Sequence, residues 1–324
     1  MRLIHLSELA GEIAHADDIV QFLQTLLGLR PDSLESRRLL RTLEIDLWDE
    51  SRESRNPMKR IQTQALVISA SRTVSQAEKA IKDNQYGQAM SLAEEVLASF
   101  PTHERANLVL ADCAKAMEMP ATVSFAYEMV CYGKPDDPRC LHLLAEAQVV
   151  EGDIHGAREI YERILEIAPD DQDAIQSLTQ IQHLPHTAVS HTQSEFYPEV
   201  DAPTLRAFPF EQVEAQLQDL DQQIHELRGD VEMDSSQQPD LVDLQQHRAQ
   251  VNLEYCYYRV AQNPNDLTLR YELGQAYFES SHFDEAKSLF TSTLENEELR
   301  LASFKGLCQC LGGQLAREEA LAYQ

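Results

Sequence analysis

"EGDIHGAREIYERILEIAPDD", Glu151–Asp171, sets small residues, large residues and a proline in a fixed order. Gly152, Gly156 and Ala157 come first, Tyr161, Ile164 and Leu165 follow, and Pro169 closes the stretch. The same order returns upstream, where Pro101, Pro135 and Pro169 stand 34 residues apart. Fixed self-similarity bounds a fold before any single element does, and 34 residues is the length of a helix–turn–helix repeat. Divided as 70–103, 104–137 and 138–171, the units carry Ala77, Ala111 and Ala145 at their eighth position. The twentieth holds Ala89, Val123 and Ala157, and the twenty-fourth Ala93, Tyr127 and Tyr161. A later unit from Leu267 repeats the order as Gly274, Ala286 and Phe290.

The order has a packing reason. Two helices of a unit cross where positions eight and twenty meet, and a large side chain there would push the axes apart. The aromatic one turn later fills the gap towards the next unit. Proline ends the second helix and forces a turn. On these residues the chain resembles the tetratricopeptide repeat (TPR) family, as a multi-repeat protein of the bacterial type. Leu144, Ala145, Gly152, Ala157, Tyr161 and Pro169 match that pattern in one unit, and Leu273, Gly274, Tyr277, Ala286 and Phe290 in another. The resemblance covers 70–183 and 267–311. Thr73, Asn107 and Arg270 depart from it by replacing a bulky first-helix aromatic, and Glu298 replaces a closing proline.

The expected fold is all-α: a TPR-like helical-hairpin superhelix, an α-α solenoid, in two arrays joined by a proline-rich connector. Residues 1–56 read as a degenerate N-terminal helical repeat, with a proline turn and a new helix capped at Asp32 or Ser33. The polar stretch 49–57 bends or links the array, and Met58–Asp83 reads as one long helix. The repeat array spans 57–183. The connector, 184–210, holds Pro185, Pro198, Pro203 and Pro209, and its Phe196, Tyr197, Phe208 and Phe210 suggest docking on a helical surface. Residues 211–324 read as a helical hairpin followed by C-terminal repeats. Its first helix sets Val213, Leu217, Leu220, Ile224 and Leu227 on a heptad seam.

Composition narrows the function classes. The net charge is −27, from 54 acids against 27 bases, which disfavours nucleic acid and anionic membranes as partners. Residues 211–243 hold ten acids and one base, while seven bases fall between 37 and 60. Solvated helix faces account for both segments, the sharper reading being attraction between the two ends. No apolar run approaches a membrane span and the N-terminus lacks a secretory pattern, so the chain reads as soluble and cytoplasmic. The six cysteines are scattered and read as reduced packing residues.

No phosphate loop, nucleophile elbow, dinucleotide turn or zinc-protease motif is present. His142 and Glu146 lie four apart on one helix face, but a groove-facing pair explains them without metal. His183, His186 and His191 space loosely like ligands, with a solvated linker the better reading. No metal and no cofactor is expected, and no catalytic residue is assigned.

Positions two, five and nine of each first helix share a face. In a TPR-like array that face lines the inner groove: Val74, Glu78, Arg105, Leu108, Asp112, Arg139, His142 and Glu146 are the candidate partner-binding residues. Glu78, Asp112 and Glu146 form an acidic row beside Arg105 and Arg139, which fits a protein or peptide segment of basic and apolar character. The family's carboxylate clamp uses Lys and Asn on these faces, where Val74, Glu78, Val109 and Leu143 stand here, which argues against a chaperone-tail clamp. The reading is a non-enzymatic interaction scaffold. Its alternatives are a homo-oligomer formed through solenoid ends and, remotely, a metal-dependent enzyme or regulator using the connector histidines. At the C-terminus a first helix is expected through Leu311, with "GGQLAREEALAYQ" too short for a full second helix. Leu307, Leu311, Leu315, Leu321 and Tyr323 are then the candidate uncovered, oligomer-forming face.

Overall fold

The computed structural model describes residues 10–53, 57–181, 202–229 and 238–322. These form fifteen α-helices and no strand among the described residues. They fall into two compact units, one of Leu23–His191 and one of Met1–Phe22 with Thr192–Gln324.

In the Leu23–His191 unit, helices α1 (Ala16–Leu29, its later residues) and α2 (Leu34–Glu53) precede an unbroken series. The series is α3 (Pro57–Lys82), α4 (Tyr86–Ser99), α5 (Glu104–Ala116), α6 (Pro120–Gly133), α7 (Pro138–Glu151), α8 (Ile154–Ile167) and α9 (Gln172–Ile181). From α3 onward each helix packs on the next, and α3 also reaches α5. The hairpin crossings fall at the small positions. Ala77, Ala111, Ala145, Ala89 and Ala157 are fully buried, and Tyr127 and Tyr161 are buried beside them in one continuous core. Removing such area from water is worth about 25 cal/mol per Å² of apolar surface, so this continuous layer dominates the unit's stability.

Turn chemistry fixes the period. Asp137, Asp153 and Asp171 cap α7, α8 and α9, accepting from the backbone N–H of Arg139, Gly156 and Ala174 at 2.9–3.0 Å. His103 caps α5 through Nδ1, which accepts from Ala106 N at 3.2 Å, and burial lowers its pKa. The turn between the two helices of each unit needs one left-handed residue at position fifteen. Asn84 (φ 57°), Glu118 (φ 57°), Gly152 (φ 97°) and, in the later unit, Ser281 (φ 60°) occupy it. Asn and Gly adopt that region readily; Glu does not.

Two departures from the repeat pattern, Asn107 and Arg270, have a use that Arg300 shares. Asn107 Nδ2 donates to Pro101 O at 3.2 Å, six residues back in the preceding turn. Arg270 Nε and Arg300 Nε do the same to Pro264 O (2.7 Å) and Leu294 O (2.8 Å). The polar side chain satisfies a turn carbonyl that an aromatic would leave without a donor.

The N-terminal helices differ from the expectation of a stacked degenerate repeat. Locally the turn is repeat-like, since an Arg37 guanidinium nitrogen donates to Pro31 O at 2.8 Å, again six residues back. Yet α2 packs against α4 and α6, across the layer of second helices. The cause is charge. Arg37 and Arg41 are each about 1% exposed, and both donate to the carboxylate of Glu94, at 2.9 and 2.8 Å. Arg37 also donates to Thr122 Oγ1 (3.2 Å), and Arg41 to Glu44 (2.7 Å). Arg38 pairs with Glu128 at 2.9 Å and lies over the Phe125 ring. Reading these bases as a solvated face was therefore incorrect for Arg37 and Arg41, because α4 presents a carboxylate where they arrive.

In the other unit, α10 (Ala202–Ala207) falls within the expected connector. It is followed by α11 (Phe210–Gly229) and α12 (Gln238–Gln262), which pack together as the expected hairpin. Phe208 stacks on Tyr258 with centroids 3.9 Å apart, and Phe210 meets Tyr255 edge-on at 6.1 Å. Phe196 and Tyr197 lie outside the described residues. Arg248 on α12 joins the hairpin to the next helix by binding Asp221 and Glu279, each at 3.0 Å. Then α13 (Leu267–Glu279), α14 (Phe283–Thr293) and α15 (Arg300–Ala322) pack in sequence. Phe290 is buried between Gly274 and Gly306, where an added Cβ would stand 2.9 and 2.7 Å from the ring.

The C-terminal expectation needs correction. Gly312 and Gly313 do not end a helix; α15 runs through them to Ala322. Leu307, Leu311 and Leu315 are 4%, 7% and 6% exposed, so they are core residues and not an open face. Leu321 is exposed, and Tyr323 lies outside the described residues.

Candidate functional site

The face shared by α3, α5 and α7 carries the sequence-derived candidates, and the structure sorts them. Val74 is fully buried and belongs to the core, because position five of α3 points at the hairpin crossing. Glu78 and Arg105 meet in an ion pair of 2.8 Å, each a little under half exposed. The acidic and basic rows are therefore joined at their start. Asp112, Arg139 and Glu146 are exposed, and Leu108 is half-buried against the core. His142 is turned away from Glu146: its Nε2 lies 3.1 Å from Asp171 Oδ2. Asp171 is held below the usual carboxylate range by the Ala174 N–H and then by His142. The imidazole thus links α7 to the cap of α9, and its pairing with Glu146 as metal ligands is not formed. Among the described residues no cluster of three His, Cys, Asp or Glu side chains is arranged to hold a metal. His183, His186 and His191 lie outside the described residues.

Sequence reasoning missed a cleft of about 540 Å³ at one edge of this face. It opens between the α5–α6 turn and the end of α7. Met119, Val123, Leu143 and Ala147 supply an apolar floor, and Val150, 77% exposed, stands on its lip. Lys115 Nζ donates to Tyr127 Oη at 2.7 Å and lies 5.0 Å from that ring's centre. Two carboxylates, Glu118 and Glu146, complete the wall and are exposed. The available signal was the 34-residue alignment, which sets Glu118 against Asn84 and Gly152.

A second cleft of about 670 Å³ lies where α1 and α2 meet α4, walled by Leu27, Arg37, Leu40, Met90, Glu94 and Ala98. Its only fully buried cation, Arg37, is already saturated by Glu94, Thr122 and Pro31. All six cysteines are buried, and burial raises the thiols of Cys113 and Cys256 to about 11. No described helix is long and apolar enough to cross a membrane.

Successive hairpins share one crossing chemistry, one capping position and one left-handed turn position in a 34-residue register. The fold is a TPR-like α-solenoid. No family model and no curated protein matches the sequence. Solved structures do. The P58(IPK) TPR domain is 13% identical with a TM-score of 0.35, over 92% of this chain and 83% of that one. A tetratricopeptide repeat protein from Parabacteroides merdae is 11% identical with a TM-score of 0.32, over 75% and 99%. The first TPR of Spaghetti (RPAP3), bound to the HSP90 peptide SRMEEVD, is 17% identical with a TM-score of 0.31, over 35% and 90%.

Proposed function

We propose that the chain is a non-enzymatic scaffold that binds a segment of another protein along the face of α3, α5, α7 and α9. One observation carries the reading. Side chains of successive first helices stand free to solvent on helices whose opposite faces are locked in one continuous core. Such a surface is formed before the partner arrives, so little ordering entropy opposes binding. Arg105 already neutralises Glu78. Asp112 and Glu146 then stand exposed against the single base Arg139, so the face keeps a negative excess and the partner segment that fits is basic and apolar.

Crosslinking in the native cell, followed by mapping of crosslinked residues, identifies the partner. Asp112→Lys with Glu146→Lys then weakens the purified complex while leaving helicity intact, and the wild-type affinity falls as salt rises. Crosslinks confined to other faces, or binding unchanged in the double variant, would refute this reading.

A further inference from the structure

The cleft at the α5–α6 turn borders the face just described and shares Glu146 with it, while Met119 and Val123 extend it past the first helices onto the turn and α6. Three features of it call for a common cause. The floor is apolar, and Val150 is exposed on the lip with no covering element. The cleft's one ammonium, Lys115, is turned onto the Tyr127 hydroxyl. Glu118, on the same wall, occupies the left-handed turn position where Asn and Gly stand in the neighbouring units. A glutamate there costs conformational free energy that Gly would not, and strain kept in a backbone is an observation pointing to use. The side chain so placed is a carboxylate at the mouth of a cavity within the size range of small ligand sites.

We propose that this cleft docks a partner segment that inserts one phenylalanine- or leucine-sized side chain. An adjacent lysine or arginine of that segment pairs with Glu118 and Glu146. This rests on the reading of the chain as an interaction scaffold and adds a site and a residue preference to it. Charge selects the occupant: the cleft wall sets two exposed carboxylates against the single ammonium of Lys115, and the whole chain carries −27. An acidic segment would meet two carboxylates for one ammonium, itself turned onto Tyr127.

The test uses the full chain with labelled methyl groups and three capped peptides: Arg-Phe-Arg, Arg-Ala-Arg and Glu-Phe-Glu. Arg-Phe-Arg should shift the methyls of Val123, Leu143 and Val150. The other two should bind about tenfold more weakly, each lacking either the ring or the favourable charge. Glu118→Gly should weaken Arg-Phe-Arg about threefold, and adding Glu146→Gln should bring the loss to roughly tenfold, as for solvent-exposed pairs. Glu118→Gly should at the same time raise the melting temperature, because Gly relieves the turn. Loss of binding with gain of stability is a combination that a purely structural role cannot produce. Equal shifts with Glu-Phe-Glu, no shift with any peptide, or unchanged affinity in the double variant would overturn the proposal. Shifts at Leu108 and His142 without shifts at Val123 and Val150 would also overturn it, while leaving the scaffold reading of the neighbouring face in place.

Discussion

Replacing Arg37 with methionine isolates what holds α2 on the repeat layer. The guanidinium is about 1% exposed and donates to Glu94 at 2.9 Å, Thr122 Oγ1 at 3.2 Å and Pro31 O at 2.8 Å. Methionine keeps most of the aliphatic packing and removes every donor. Glu94 is 21% exposed and retains Arg41, so it is weakened without being stranded. The loss there is one charge-assisted hydrogen bond, about 1.5–3 kcal/mol. Thr122 is 2% exposed, and its hydroxyl loses a donor, as does the Pro31 carbonyl; each costs about 1 kcal/mol. Against this, the desolvation of a buried guanidinium is relieved, which offsets part of the sum. The expected net cost is about 3 kcal/mol. Roughly 2–4 °C is lost per kcal/mol in a unit of this size, so the midpoint should fall by roughly 6–12 °C. Arg38→Met is the control: Arg38 is 42% exposed, and its pair with Glu128 should be worth under about 1 kcal/mol. Urea unfolding gives the free energies, and hydrogen exchange across 34–49 shows whether α2 loosens first. Arg37→Met within about 0.5 kcal/mol of wild type, or α2 amides as protected as before, would refute the argument that buried charge seats this helix.

Other outcomes follow from single contacts. Burial raises Glu44 to about 7, with Arg41 opposing and Glu94 reinforcing the shift. The folded state therefore holds this proton where the unfolded chain has released it. Its contribution is complete below the unfolded value of 4.5 and is lost as pH rises towards 7. Glu44→Gln should flatten that segment of the stability profile relative to wild type, and parallel profiles would contradict the assignment. Gly306→Ala places a methyl 2.7 Å from the Phe290 ring, which Gly274 confines on its other side. Overpacking at about 1–3 kcal/mol should outweigh the helix-propensity gain of about 1 kcal/mol, so a raised midpoint would show that the ring has room. Leu315→Asp, on a buried residue, should destabilise the fold itself, and a soluble variant with an unchanged melting curve would restore the idea of an open C-terminal face.

The repeat register was legible because small side chains at crossings and proline at closings are chosen by local sterics, and these leave letters at fixed spacing. Ala111, Ala145 and Tyr161 needed no knowledge of distant residues. The helix α3 was legible for the same reason. What failed was wherever a side chain's meaning depends on a partner far along the chain. Arg37 and Arg41 read as surface bases because Glu94 lies more than fifty residues away, and nothing in 37–60 announces it. Position five was assigned to the inner face by helical phase, yet Val74 is core while Leu108 and His142 are half-exposed in the same phase. Phase fixes a direction on one helix, and only the neighbours decide whether that direction meets solvent. The two glycines at 312–313 misled for a related reason. Glycine ends a helix only where the chain must turn, and here the ring of Phe283 lies against Gly313 on α15, which allows close approach within a continuing helix. Glu118 combines both kinds of information. Its turn position could be read from the period, but the carboxylate acquires a use only beside Val150 and Glu146, which α7 brings to it. A repeat fold therefore discloses its scaffold in its letters and keeps its binding chemistry in the places where a letter departs from the repeat.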